Sequence, residues 1–207
     1  CSEYGFYMIA EADLESHGVG TLYTNDGHDC MGYIAQDDAW AESILDRQKR
    51  NVIRDKNQSA VIFWSLGNES GYGGNFEDAG RWVKAYDPTR LLHYEASICN
   101  SAGYHNDVSM LDVMSRMYAD TEWVKEYCED RRMRKPFIQC EFIHAMGNGP
   151  GDIHDYMELM YKYDKFCGGF VWEWCDHATW EGKAADGRDI FHYGGDAGAV
   201  SYTHLRA

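Results

Sequence analysis

One pattern recurs along this sequence. A short apolar run ends in a turn, and an acidic residue lies at that turn. In the run 61–66 Ser65 is the only polar residue, and Gly67, Asn68 and Glu69 follow directly. A short apolar run bounded by turn residues is typical of a strand buried on both faces, as in parallel sheets. Because chemistry in α/β sheets and barrels lies at the carboxyl ends of the strands, Glu69 occupies a position suited to a working acid.

The same arrangement occurs three more times. The run 137–144 contains Glu141, the run 6–11 leads to an acidic loop, and the run 168–176 ends in an aspartate. Strands are predicted at 6–12, 61–66, 91–95, 112–118, 136–143 and 169–175. After a loop over 13–36, helices are predicted from Asp37 or Asp38 to about residue 57, and over 75–86, 120–133 and 152–165. This alternation predicts the α/β class and the parallel sheet of a (β/α)8 TIM barrel.

The strand count sets the predicted domain organisation. Six predicted strands are two fewer than a closed barrel needs, so we expect an incomplete barrel of about strands 3 to 8, with the first two strands missing before Cys1. We therefore expect residues 1–196 to form a partial TIM-barrel catalytic domain. Residues 197–207 are expected to be a tail of doubtful origin, since 200–207 look like translated sequencing adapter.

Composition narrows the possible partners and compartment. The net charge of -15 argues against nucleic acid, whose phosphates need a basic surface. No apolar run approaches the ~20 residues that cross a bilayer, so no membrane partner is expected. Seven cysteines without a C-x-x-C pair indicate free thiols in a reducing compartment, and we expect a cytoplasmic protein. Cys140, Cys167 and Cys175 are expected to be buried, and Cys140 is a poor candidate nucleophile because Glu141 beside it raises a thiol pKa.

Two acidic residues are the candidates for catalysis. Glu69 and Glu141 are 72 residues apart, with the predicted strands 91–95 and 112–118 between them, so both should point into one mouth of the barrel. Two carboxylates across a mouth suit glycoside cleavage, in which one protonates the leaving oxygen and the other attacks the anomeric carbon or activates water. The alternative is that each glutamate is a solvated residue at a strand end.

The segment Glu15-Ser16-His17 is a candidate metal site. Its outer residues are two positions apart, on the same side of an extended chain. The oxygen ligands nearby suggest Mg²⁺ or Mn²⁺, although histidine is an unusual Mg²⁺ ligand. A salt-bridged loop without a metal remains an open alternative.

Four motifs resemble the β-galactosidase type of glycoside hydrolase family 2. They are EADLESHG at 11–18, IFWSLGNESG at 62–71, CEFIHAMGNG at 140–149 and GGFVWEWCD at 168–176, in family order over about residues 1–196. The second motif is shared with relatives such as β-glucuronidases, whereas the third is specific to the β-galactosidase branch. The resemblance implies a retaining TIM-barrel glycosidase.

The resemblance also implies roles for individual residues at the reaction centre. Glu69 would be the acid/base and Glu141 the nucleophile of a double displacement. Asn68 would hold the sugar 2-hydroxyl, where hydrogen bonds strengthen in the transition state. Tyr118 would contact the nucleophile and help to release the covalent sugar.

The remaining implied residues bind sugar and metal. His144 would bind galactose hydroxyls and Trp172 would form the floor under the sugar ring, where a structural histidine and a core tryptophan are the alternatives. Glu15, His17 and Glu69 would bind Mg²⁺. The sodium ligands of the family would follow Asp196, so we expect no Na⁺ site in this chain.

The expected substrate is a terminal non-reducing β-D-galactoside such as lactose, and the parent protein is expected to be a homo-oligomer. Three rivals remain: another family 2 activity such as β-glucuronidase or β-mannosidase, a non-catalytic sugar-binding barrel, and a metal-dependent lyase. The family places a substrate-binding His and Asp upstream of this chain. An open barrel would also expose two apolar sheet edges. We therefore expect the isolated 207-residue chain to be unstable or inactive.

Overall fold

The computed structural model describes residues 1–19, 31–98, 105–144, 151–173 and 178–193. The chain divides into two compact units. The first unit comprises Cys1–Phe142 and Asp152–Phe170, and the second comprises Ile143–Gly151 and Val171–Ala207.

Two three-stranded sheets form the framework of the first unit. Their strands are β1 Met8–Glu11, β2 Val61–Ser65 and β3 Leu91–His93, then β4 Met114–Met117, β5 Phe137–Phe142 and β6 Phe166–Val171. The strand orders are β1-β2-β3 and β4-β5-β6, and the pairs β1–β2, β2–β3 and β4–β5 are parallel. The two sheets meet where the Asp112 amide donates to the Leu92 carbonyl at 2.9 Å. The carboxyl ends of the paired strands therefore share one edge, as the βα alternation predicts.

Helices follow the strands. They are α1 Met31–Gln36, α2 Ala41–Asp55, α3 Gly74–Tyr86, α4 Thr121–Glu129 and α5 Ile153–Lys162. Asp37 begins the first predicted helix. Its side chain accepts the Ala39 N–H, and a 3₁₀ turn at Asp38–Trp40 leads into α2. Asp120 caps α4 by accepting the Trp123 N–H. These ends follow from local chemistry, and the four predicted helices are confirmed with small shifts at their ends.

The core of the first unit lies between β1–β3 and the helices α2 and α3. The aromatic side chains of Trp64, Tyr72, Phe76 and Tyr94 are fully buried there. The rings of Phe76 and Tyr94 stack with centroids 4.6 Å apart. This packing fixes the turn after β2, because Tyr94 also donates its hydroxyl hydrogen to the Gly71 carbonyl at 2.8 Å.

Two predicted elements need correction. The predicted loop 13–36 contains the helix α1, whose buried Ala35 packs under Gly73 at the start of α3. A six-residue helix is too short to show a helical period, so tertiary packing decides it. The strand predicted at 169–175 begins earlier, at Phe166, and ends at Val171. Residues 174 and 175 lie outside the described residues.

The six predicted strands are all present, but the described residues of the second unit add an antiparallel hairpin that the strand pattern did not predict. Its strands are β7 Ala178–Lys183 and β8 Asp189–Tyr193. Gly187 turns the chain with φ 87°, and the Ala184 N–H donates to the Arg188 carbonyl at 2.8 Å. The dipeptide Asp186-Gly187 is a strong hairpin signal that could have located this element.

The cysteines are less buried than expected. Within the described residues Cys1, Cys128, Cys140 and Cys167 are free thiols. Cys140 is half-buried and Cys167 exposed, which corrects the expected burial, and Cys175 lies outside the described residues. Burial raises the pKa of the Cys140 thiol to about 12, so it remains a poor nucleophile.

Among the helices of the described residues, none combines the length and apolar character needed to cross a membrane. The motif residues 145–149 and the tail 197–207 lie outside the described residues, so the predictions about them stay predictions.

Candidate active site

The turn that follows β2 is held tightly against the segment after β1. Gly67 has φ 141°, and a Cβ there would lie 2.7 Å from the carbonyl oxygen of Leu14. The Asn68 N–H donates to the same Leu14 carbonyl at 2.8 Å. Only glycine fits this conformation and this close approach. The contact places Asn68 beside Glu15, with which it forms a parallel bridge.

The Ser70 side chain completes this junction. The Ser70 hydroxyl donates to the Asn68 carbonyl at 2.7 Å and accepts the Ser16 N–H at 2.8 Å. The segment carrying Glu15 and His17 is thereby tied to the turn carrying Glu69.

Glu69 adopts a left-handed backbone conformation with φ 37°. Its N–H donates to Oε1 of Glu95 at 2.9 Å, and its Oε2 lies 2.9 Å from Nδ1 of His17. Glu95 is buried, at 8% exposure, at the start of the 3₁₀ turn Glu95–Ile98 that follows β3. His17, in the segment after β1, therefore contacts the Glu69 carboxyl group, and Glu95, directly after β3, contacts the Glu69 backbone.

Glu141 lies near the end of β5 and is paired with Tyr118, which follows β4. Tyr118 has φ 48°, and its N–H donates to the Glu141 carbonyl at 2.9 Å. Its hydroxyl donates to Oε2 of Glu141 at 2.7 Å. A tyrosine hydroxyl at this distance stabilises the ionised carboxylate.

The acidic side chains share one electrostatic environment. Burial raises the pKa of Glu141 to about 7, against the hydrogen bond from Tyr118 and with the negative charge of Glu69. Burial also raises the pKa of Glu95 to about 7, with the charges of Glu69 and Glu141 adding to the effect. Burial and the bond to Glu141 raise the pKa of Tyr118 as well, so its hydroxyl stays protonated as a donor. Glu95 and Glu141 therefore hold a proton more readily than an exposed glutamate does.

Glu15, His17 and Glu69 converge on one point. One ligand atom from each residue lies within 4.8 Å of the others. Two carboxylates and an imidazole suit a divalent cation, and the imidazole makes Mn²⁺ as well matched as Mg²⁺. The residues present therefore fit the metal that the sequence pattern suggests.

A polar chain crosses the strands beneath these carboxyl groups. Ser65 donates to Oε2 of Glu11 at 2.8 Å, and His93 contacts the Ser65 and Ser115 hydroxyls at 3.0 and 2.7 Å. Burial lowers the pKa of His93 to about 4, so its imidazole is neutral at neutral pH. Sequence reasoning missed both His93 and Glu95. The run Leu91–Glu95 shows the same strand-then-acid pattern as the others and could have identified Glu95.

The predicted site residues divide between the two units. The first unit clusters Glu15, His17 and Glu69, joins Tyr118 to Glu141, and lets the charge of Glu69 act on Glu141. Asn68 lies in the same turn as Glu69. His144 and Trp172, both half-buried, belong to the second unit, so their predicted contacts with sugar stay predictions.

Comparison with known proteins gives the family. The model for the TIM barrel domain of glycosyl hydrolases family 2 matches residues 1–202. The chain belongs to glycosyl hydrolase family 2. The family match, together with the parallel strands, supports the TIM-barrel prediction.

Among curated relatives, the β-galactosidase of Actinobacillus pleuropneumoniae is 46% identical over 96% of this chain and 21% of that protein. The β-galactosidase of Staphylococcus xylosus is 46% identical over 95% of this chain and 20% of its own length. The family 2 chain thus spans about a fifth of the length of these relatives. A solved β-glucuronidase of Ruminococcus gnavus superposes with a TM-score of 0.47 at 17% identity, covering 72% of this chain and 31% of its own.

Proposed function

We propose that this chain carries the reaction centre of a retaining β-galactosidase that cleaves terminal non-reducing β-D-galactosides such as lactose. The observation that carries the proposal is the hydrogen bond from Tyr118 to Glu141, a carboxylate whose pKa responds to the charge of Glu69. Curated relatives named β-galactosidases at 46% identity support the galactoside. An incomplete barrel of about strands 3 to 8 stays part of the proposal.

In the first step, Glu141 acts as the nucleophile and Glu69 as the acid. The ionised Glu141 oxygen forms a bond to the anomeric carbon while the glycosidic carbon–oxygen bond breaks. The proton on Glu69 moves to the leaving oxygen, and galactose remains as an ester of Glu141.

In the second step the ionised Glu69 takes a proton from water. The water oxygen attacks the anomeric carbon, and the ester bond to Glu141 breaks. Tyr118, which donates to Glu141, stabilises the carboxylate as it leaves. Two inversions return the product with the configuration of the substrate.

The other site residues would bind and orient. Asn68 would hold the 2-hydroxyl of the sugar, His144 further hydroxyls, and Trp172 the face of the ring. Glu15, His17 and Glu69 would hold a divalent cation. When bound, this cation would supply positive charge beside the acid/base.

Product stereochemistry tests the mechanism. We expect proton NMR of the protein at its full natural length, with an aryl β-galactoside, to show β-galactose as the first-formed anomer. A 2-deoxy-2-fluoro-galactoside should add one sugar mass to the peptide containing Glu141. First formation of the α-anomer, or a label on another residue, would contradict the assignment.

A panel of nitrophenyl glycosides tests the substrate. Turnover of the β-galactoside well above the β-glucuronide and β-mannoside is expected. Binding of these sugars without hydrolysis would instead favour the non-catalytic sugar-binding barrel.

A further inference from the structure

Glu69 is held by a carboxylate that has no place in the two-step mechanism above. Glu95 is buried where β3 ends, and its Oε1 accepts the Glu69 N–H at 2.9 Å. Glu95 follows β3 and Glu69 follows β2, and these two neighbouring strands pair in parallel. The contact therefore joins the ends of two neighbouring strands at the proposed reaction centre.

The backbone of Glu69 needs such a partner. A non-glycine residue at φ 37° is strained, and conformations of this kind persist only where their surroundings fix them. The preceding residue is fixed by the bond from Asn68 to Leu14, and the following residue by the bond between Ser16 and Ser70. Glu95 supplies the fixing contact at Glu69 itself.

We propose that Glu95 is a positioning residue for the acid/base: by accepting the Glu69 N–H it sets the direction from which the Glu69 carboxyl group meets the glycosidic oxygen. This inference rests on the proposed function. Glu95 acts through Glu69 and has no proton to give or take in either step. Its role depends on the position of Oε1, which accepts the Glu69 N–H.

This role can be tested by comparing substrates whose leaving groups do and do not need a proton. Departure of an alcohol such as glucose from lactose requires a proton from Glu69, whereas 2,4-dinitrophenolate departs without one. Because kcat/KM reports the steps up to formation of the galactosyl-enzyme, a misplaced acid lowers kcat/KM for lactose and spares the dinitrophenyl substrate. A purely structural loss lowers both equally.

Two substitutions of Glu95 distinguish the effect of the acceptor's position from the effect of its charge. Glu95→Gln keeps an acceptor oxygen at the same length and removes the charge, whereas Glu95→Asp keeps the charge and withdraws the acceptor by one methylene. We expect Glu95→Asp to lose about 100-fold in kcat/KM for lactose, the scale of a small misplacement, and only a few-fold for 2,4-dinitrophenyl β-galactoside. Glu95→Gln should stay within about three-fold of the unmodified protein on both substrates, because its acceptor is kept.

Glu77 provides the matched control. It lies on α3 and is likewise buried, and its Oε1 accepts the Asp107 N–H at 2.7 Å. Glu77→Asp should change both substrates by the same factor.

Mn²⁺ affinity, measured by calorimetry, gives a second readout that is independent of turnover. Because partners that orient a metal ligand contribute about 10- to 100-fold to affinity, Glu95→Asp should bind Mn²⁺ at least about tenfold more weakly. Glu77→Asp should bind it unchanged.

The outcomes separate the two proposals. Absence of turnover of any β-galactoside by the unmodified full-length protein overturns the proposed function, and this inference with it. Turnover with an equal loss on both substrates in Glu95→Asp overturns the positioning role alone. So does a Glu95→Gln variant as impaired as Glu95→Asp, since charge rather than the acceptor would then matter. If Glu95→Asp fails to fold, Glu95→Gln decides: a selective loss on lactose overturns the role, and retained activity supports it.

Discussion

The hydroxyl of Tyr118 donates to Oε2 of Glu141 at 2.7 Å, and the backbone N–H of the same tyrosine donates to the carbonyl of the same glutamate at 2.9 Å. Two contacts between one pair of residues fix the tyrosine ring relative to the carboxyl group. Burial opposes the charge on Glu141, and Tyr118 favours it. The balance between these effects decides the pH at which the proposed nucleophile is ionised.

Tyr118→Phe should move the acidic limb of activity to higher pH. Glu141 attacks only when ionised, and its pKa is raised to about 7, so kcat/KM should fall as the pH drops through about 7. A hydrogen bond to a charged group contributes about 1.5 to 3 kcal/mol, so its removal disfavours the ionised form of Glu141. The pH at which kcat/KM falls should therefore rise by about one to two units. The measurement is the pH profile of kcat/KM for 2-nitrophenyl β-galactoside.

Tyr161→Phe is the control for that change. Tyr161 lies on α5 and is 84% exposed. Its substitution should leave the profile unchanged. If the acidic limb of the kcat/KM profile is unchanged or moves to lower pH in Tyr118→Phe, the tyrosine does not stabilise the carboxylate.

Replacing the imidazole of His17 should weaken divalent-cation binding. Its ligand atom lies within 4.8 Å of those of Glu15 and Glu69, so His17→Ala removes one of three converging donors. Since even partners of a metal ligand contribute about 10- to 100-fold, we expect Mn²⁺ affinity to fall more than about tenfold by calorimetry.

His154→Ala is the matched control for the metal test. His154 lies on an exposed helix face and pairs with Glu158 at 3.4 Å. This substitution should leave Mn²⁺ affinity unchanged. Equal affinities in the His17 and His154 variants would rule out the proposed metal centre and favour the salt-bridged loop.

The sequence predicted the six strands of the two three-stranded sheets because their signals are local. Val61–Ser65 combines β-branched and aromatic residues in one short run, and its end is marked by Gly67. Helix α3 ends at Tyr86, directly before Asp87-Pro88, as proline chemistry requires. Elements of this kind are decided by residues that adjoin in the sequence.

The features that were missed depend on contacts between distant residues. Helix α1 is decided by packing of Ala35 under Gly73, and the bond from Glu69 to Glu95 spans 26 residues. A motif gives the residue type at a strand end but not which neighbour accepts its backbone N–H. The pairing of Tyr118 with Glu141 was predicted only through the family resemblance.

Gly67→Ala should disturb the reaction centre through the backbone. The added Cβ would lie 2.7 Å from the Leu14 carbonyl oxygen and 2.8 Å from the Leu14 Cβ, at a φ of 141° that alanine rarely adopts. Strain and overpacking each cost about 1 to 3 kcal/mol, so the free energy of unfolding should fall by about 2 kcal/mol or more. Urea unfolding measures this loss. Gly151→Ala, where nothing lies within 4 Å of the added atom, should change stability little. Equal stabilities of the two variants would contradict the close approach at Gly67.

His93 should make the first unit less stable in acid. Burial lowers its pKa from 6.5 to about 4. Between these two pH values, His93 therefore binds a proton in the unfolded chain but not in the folded chain. The free energy of unfolding is therefore unaffected by this group above pH 6.5 and decreases as the pH falls toward 4. One pKa unit corresponds to about 1.4 kcal/mol, so the His93 contribution to this decrease should reach about 3 kcal/mol by pH 4.

The variant His93→Gln isolates that contribution, because glutamine can bond the hydroxyls of Ser65 and Ser115 and does not titrate. Urea unfolding at pH 7.5, 6.5, 5.5 and 4.5 should show a shallower decrease with acid in the variant than in the unmodified protein. The difference between the two should be constant from pH 7.5 upward, where neither protein binds a proton at this position. Parallel curves down to pH 4.5 would mean that His93 accepts a proton in the folded state as readily as in the unfolded chain, which a neutral, buried imidazole between two serines cannot do.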